Sequence, residues 1–172
     1  SGPRGIVICP TRELCLQITD DLKKFAKYME KIRIVAIYGG ASISNQIRQI
    51  KKHPRIIVAT PGRLMDMMDR KAISLSKVNY VILDEADEML SMGFFADIEA
   101  IMDQTPSSRQ TALFSATLPQ RILRLAAKYM NAPESFKIGS KQLTVDTVDQ
   151  RYCLVNEADK LANKIRSLSC VL

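Results

Sequence analysis

The chain has 172 residues, 47% of them hydrophobic and 25% charged, with 25 Lys and Arg against 18 Asp and Glu for a net charge of +7. That is the globular average at the length of about one domain, which excludes a disordered or collagen-like chain. No apolar run approaches the roughly 20 residues of a membrane-spanning helix, and Ser1-Gly2-Pro3-Arg4-Gly5 lacks a signal-peptide core. A soluble, non-secreted protein with no membrane partner is expected, cytoplasmic, or nuclear in a eukaryote.

In chain order, short apolar, β-branched runs predict strands at 5–9, 32–38, 55–59, 80–83, 111–114, 135–138 and 151–155. Most lack polar alternation, which suits strands covered on both faces. Helical spacing links several of them: Leu14, Ile18, Leu22 and Phe25, then Leu64, Met67 and Met68, then Ile122, Leu125, Ala126 and Tyr129. Alternating strand and helix define an α/β fold with a mainly parallel sheet. The Met residues at 65, 67, 68, 89 and 92 are read as helical core. The polar stretch 139–149 reads as a linker, and the last residues supply only one strand and a helix from about Glu157, too little to enclose a core.

The four cysteines, Cys9, Cys15, Cys153 and Cys170, form no C-x-x-C and the single histidine is His53, so a Cys/His zinc site lacks ligands. Cys9, closing an apolar run, reads as a small buried thiol. Charge is unevenly spread. Residues 1–80 hold 15 basic and 6 acidic side chains, residues 81–105 none and 7, and residues 106–172 hold 10 and 5. A basic excess alone is usually a solvated surface. Seven carboxylates without a basic neighbour must be exposed or neutralised, and a divalent cation is one way to neutralise them.

In an open parallel sheet, ligands gather beyond the carboxyl ends of the strands. After 80–83 comes Asp84-Glu85-Ala86-Asp87. A carboxylate there can hold Mg²⁺ on nucleotide phosphates while its neighbour orients or deprotonates water; a solvated helix start is the other reading. After 55–59, Thr60-Pro61-Gly62-Arg63 specifies a Thr N-cap and Pro at the first helical position, with an Arg in the first turn. Pro10-Thr11-Arg12 repeats the device, and Gly39-Gly40 admits close backbone approach. Singly these are ordinary turns; three on one rim favour a tracked sugar-phosphate backbone. Thr117-Leu118-Pro119-Gln120 fits a capping box, whereas Ser115 lacks a local role and is expected to contact the acidic turn.

P-T-R-E-L with Gln17 (10–17), G-G (39–40), T-P-G-R (60–63), D-E-A-D (84–87) with M-G-F (92–94), and S-A-T (115–117) resemble the DEAD-box RNA helicases in order and spacing. The resemblance implies a RecA-like parallel sheet flanked by helices, in an enzyme whose two such domains clamp ATP and single-stranded or short duplex RNA. It implies that Asp84 approaches Mg²⁺ through water and that Glu85 activates the hydrolytic water. Asp87 would contact Ser115 and Thr117, linking hydrolysis to strand separation. Pro10, Thr11, Arg12, Gly39, Gly40, Thr60, Pro61, Gly62 and Arg63 would line an RNA path that reads backbone, not sequence.

The family's phosphate-binding loop has no counterpart, since the chain contains no Gly-Lys pair. The expectation is therefore an N-terminally truncated first domain at 1–140, a linker at 141–149 and the start of a second domain at 150–172. Such a piece alone is expected to be inactive, with the strand at 135–138 left without its neighbour and prone to self-association. Protein cofactors are further expected partners. The alternatives are a non-catalytic RNA- or protein-binding remnant and, disfavoured by D-E-A-D with P-T-R-E-L, a module of a DNA translocase.

Overall fold

The computed structural model describes residues 2–29 and 32–138. By packing, the chain divides into Ser1–Glu134 and Ser135–Leu172. In the first unit the strands are β1 (Gly5–Ile8), β2 (Ile34–Ile37), β3 (Ile56–Ala59), β4 (Tyr80–Leu83) and β5 (Gln110–Leu113). The helices are α1 (Arg12–Phe25), α2 (Ile43–Ile50), α3 (Pro61–Asp69), α4 (Ala86–Ser91), α5 (Phe95–Asp103) and α6 (Gln120–Tyr129). The strand order is β2-β3-β1-β4-β5, and every neighbouring pair is parallel. Ile37, Ala59, Ile8, Leu83 and Leu113 lie in one row across the sheet. All five strands therefore release the chain at the same rim.

The unbroken apolar strands are explained by cores on both faces. Ile6, Ile8, Ile57, Ala59, Val81 and Leu83 face one way, against Leu64 and Met67 of α3, Ile98 and Ile101 of α5 and Ile122 of α6. The intervening Val7, Val58 and Ile34 face the other way, with Cys9, Cys15 and the α1 residues Leu14, Ile18 and Leu22. Period-two alternation of side chains makes this division automatic. Gly93 separates α4 from α5. Its φ is +85°, and the Gly93 N-H donates to Leu90 O while Phe94 N-H donates to Met89 O, both at 3.0 Å. This is a left-handed helix stop that favours glycine.

Several expectations are corrected. β1 and β3 are each one residue shorter than their apolar runs and β2 is three shorter, because ladder hydrogen bonds end before hydrophobicity does, whereas β4 matches its run and β5 starts and ends one residue earlier. Phe25 is 79% exposed, so only three of the four spaced apolar residues of α1, each half-buried, pack against the core. Residues 135–138 form no strand, and Phe136 and Ile138 are exposed. A strand exists through its ladder, and β4 is the only partner of β5 among the described residues. The expected linker and the elements beyond 150 lie outside the described residues. The acidic segment finds partners on α6: Lys128 Nζ lies 2.8 Å from Glu99, and the Tyr129 hydroxyl donates to Asp103 at 2.8 Å. Among the described residues no helix is long and apolar enough to cross a membrane.

Candidate functional site

Pro10, Tyr38, Thr60, Asp84 and Phe114 follow the strands at the common rim. Thr11 caps α1, its Oγ1 accepting from Leu14 N-H at 3.2 Å. Arg12 projects from the first turn over the Tyr38 ring, 5.1 Å from the centroid. Gly40 has φ +76°, a conformation that admits few other residues. Thr60 corrects the sequence reading: it is the N-cap of α3 in backbone geometry only, with no side-chain cap bond, and Pro61 holds the first helical position as expected. Gly62 is open, with no atom within 4 Å of where a Cβ would stand.

A cavity of about 570 Å³ opens between these elements, lined by Pro10, Thr11, Arg12, Gly39, Thr60, Gly62 and Arg63 together with Glu13, Asp66, Met92 and Phe94. Seven of the nine residues expected along the RNA path thus share one groove. Gly40 and Pro61 do not line it, and Pro61, the first residue of α3, is buried. Met92, expected in the core, is 47% exposed and faces the groove, because α4 ends at Ser91 and turns it outward. Arg63 Nη1 donates to Ala41 O at 3.0 Å and to Gln46 Oε1 at 3.1 Å. Glu13 and Phe94 stand in the quoted motifs without an assigned role, whereas Gln46 and Asp66 lie outside them; spacing carries no signal for a contact made across 17 residues.

Across the rim, Asp84 N-H donates to Ile8 O at 2.9 Å and Ala86 N-H donates to Phe114 O at 3.0 Å, which pins the acidic turn between β1 and β5. Glu85 sits at φ 49°, ψ 51°, a left-handed conformation costing a non-glycine residue about 1–3 kcal/mol. Its N-H donates to Asp84 Oδ1 at 3.0 Å. Asp84 Oδ2 makes no hydrogen bond among the described residues. Asp87 Oδ2 accepts from both the Thr117 N-H at 2.9 Å and the Thr117 hydroxyl at 2.7 Å. Ser115 Oγ accepts from Asp87 N-H at 3.2 Å and donates to Thr117 O at 2.6 Å. Partial burial alone would raise the Asp87 carboxyl, but these hydrogen bonds outweigh it and hold the group below its ordinary value. The capping-box reading of Thr117 is corrected: α6 is capped at Pro119, and the Thr117 hydroxyl is spent on Asp87.

Cys9 and Cys15 are free and buried. The hydrogen bond with Cys15, then burial and the nearby carboxylates push the Cys9 thiol far up, which keeps it protonated and inert. Among the described residues no group of three or more His, Cys, Asp or Glu side chains could hold a metal ion unaided. Asp84 still fits Mg²⁺, which dehydrates reluctantly and is commonly held by one or two carboxylates, waters and substrate phosphates.

A five-stranded parallel sheet whose carboxyl rim carries two helix N-termini with arginines and a strained acidic turn is the architecture of an open α/β protein whose ligands, anions among them, gather at that rim. The sequence profile of the DEAD/DEAH box helicases matches residues 1–125, and the chain belongs to that family. The DEAD-box ATP-dependent RNA helicase CshA of Bacillus cereus is 50% identical over 157 residues, covering 91% of this chain and 30% of that relative. CshA of Bacillus subtilis is 47% identical over 165 residues, 96% of this chain and 33% of the relative. The structure of a hypothetical ATP-dependent RNA helicase from Sulfolobus tokodaii matches with a TM-score of 0.73 and 40% identity, over 77% of this chain and 40% of that one. The yeast DEAD-box splicing factor Prp28 matches with a TM-score of 0.73 and 32% identity, over 76% of this chain and 31% of that one. The fold is RecA-like, and the chain spans about 30% of the length of the first curated relatives it matches.

Proposed function

We propose that residues 1–140 belong to the first RecA-like domain of an ATP-dependent RNA helicase, with a linker at 141–149 and the start of a second domain at 150–172. The whole protein would couple ATP hydrolysis to RNA duplex unwinding or RNA-protein remodelling. The observation that carries this reading is the shared groove, where the N-termini of α1 and α3, each with an arginine in its first turn, open on one cavity beside the Gly39-Gly40 loop. Helix N-termini offer unpaired N-H groups and a positive dipole end, so two of them side by side suit successive phosphates. Pro10 and Pro61 fix the chain's approach to the groove, and Gly39, Gly40 and Gly62 leave the backbone accessible. Such contacts read no base edges.

Asp84 would meet Mg²⁺ through water, using the oxygen left free by Glu85. When bound, the ion neutralises charge on the nucleotide phosphates. Glu85, exposed and held in its left-handed turn, would take the proton of the attacking water. Asp87, tied to Ser115 and Thr117, would carry movement of the acidic turn to the segment entering α6. The reading requires a phosphate-cradling loop from outside these 172 residues, because they contain no Gly-Lys pair.

The test is binding of a labelled oligouridine single strand to the 172-residue chain at two salt concentrations. Affinity should fall as salt rises and fall further in Arg12→Ala. Binding indifferent to both salt and Arg12→Ala would overturn the RNA reading of the groove.

A further inference from the structure

Gln46 lies on α2, outside every motif, with 4% of its surface exposed. A buried amide needs partners for both its ends. Its Nε2 donates to the Tyr38 carbonyl at 3.0 Å, where β2 has ended, and its Oε1 accepts from Arg63 Nη1 at 3.1 Å. The same Nη1 donates to Ala41 O at 3.0 Å, just past Gly40. Gln46 therefore joins the end of β2 to the first turn of α3, and Arg63, held by it, carries the link on to the residue just past the Gly39-Gly40 loop.

Arg63 has no carboxylate partner among the described residues. Its Nε and Nη2 make no hydrogen bond among them either. With Nη1 engaged, the guanidinium is held at the groove wall, and the N-H groups of its other two nitrogens remain for an anion. We propose that Gln46 is a positioning residue for RNA binding: it fixes Arg63 and the Gly39-Gly40 loop at a set separation, so that two backbone contacts are preformed. A guanidinium already anchored loses less freedom on meeting a phosphate than one that sweeps through solvent. The inference rests on the RNA reading of the groove.

A Gln that merely fills space under α2 would affect melting but not the number of phosphates bound. The experiment measures oligouridine affinity against salt in the full-length protein for wild type, Gln46→Leu, Arg63→Ala and the double variant. Removing one phosphate interaction with a single strand lowers the slope of log affinity against log salt by about 0.7. Gln46→Leu should bind several-fold more weakly with a slope reduced toward that of Arg63→Ala, and the double variant should bind within about twofold of Arg63→Ala, because the two act as one unit. If Arg63→Ala weakens binding while Gln46→Leu leaves affinity and slope unchanged, the positioning role is overturned and the RNA reading stands. If Arg63→Ala changes neither affinity nor slope, Arg63 meets no phosphate and the positioning role is overturned, while the RNA reading is decided by salt and Arg12→Ala. Should Gln46→Leu not fold, Gln46→Asn, too short to reach both partners, is expected to lower the slope in its place; an unchanged slope there overturns the role.

Discussion

Asp87 joins two strand ends through one carboxylate. Hydrogen bonds from Thr117 and Ser115 favour its ionised form despite partial burial, so its folded value lies below the ordinary Asp value of about 3.9. The stability it contributes is complete above that ordinary value and is lost as pH falls through the lowered one. Wild type should therefore show an acid limb in Tm below about pH 4 that flattens in Asp87→Asn; an equally steep limb in the variant would contradict this. The residues of this contact were legible as types, since Asp87, Ser115 and Thr117 all stand just beyond apolar runs. The partner of Thr117 came from the family resemblance alone, because T-x-x-Q is a local pattern whereas the actual bond spans 30 residues.

At the scale of elements, two helices that look alike in sequence begin differently. Thr11 caps α1 through its hydroxyl, while Thr60 leaves the start of α3 to its carbonyl and Pro61. Thr11→Ala should cost about 1 kcal/mol in urea unfolding, and Thr60→Ala less than half of that; equal costs would contradict the asymmetry. Arg109, 8% exposed, shows the converse problem of a buried cation without a close carboxylate. Its guanidinium donates to Pro106 O at 3.0 Å and Tyr129 O at 3.2 Å, and it lies over the Tyr129 ring. It thus stabilises the carboxyl end of α6, where a positive charge is favoured. Arg109→Lys should be nearly as destabilising as Arg109→Met, each by about 2 kcal/mol, since an ammonium cannot span these acceptors. Full stability in Arg109→Lys, read by the same denaturation, would show that charge alone suffices. Nothing in the sequence marked this residue, because its acceptors are backbone carbonyls.

At the scale of the molecule, the parallel sheet was legible because five β-branched runs alternate with helical spacing, and each buried strand needs covering on two sides. The common rim followed from parallel order alone. The groove was legible only in part: its helix starts and glycines are motif residues, but Met92, also in a motif, was read as core and reaches the groove because α4 ends before it. The run at 135–138 misled because hydrophobicity announces burial, whereas a strand requires a neighbour. In the proposed function this groove and the acidic turn lie on one rim of the sheet, so that RNA at one would control hydrolysis at the other. ATP hydrolysis by the full-length protein, with and without single-stranded RNA and for wild type against Glu85→Gln, tests that claim most directly. RNA should stimulate the wild type, and Glu85→Gln should lower kcat at least about 100-fold. RNA-stimulated turnover undiminished in Glu85→Gln would contradict it.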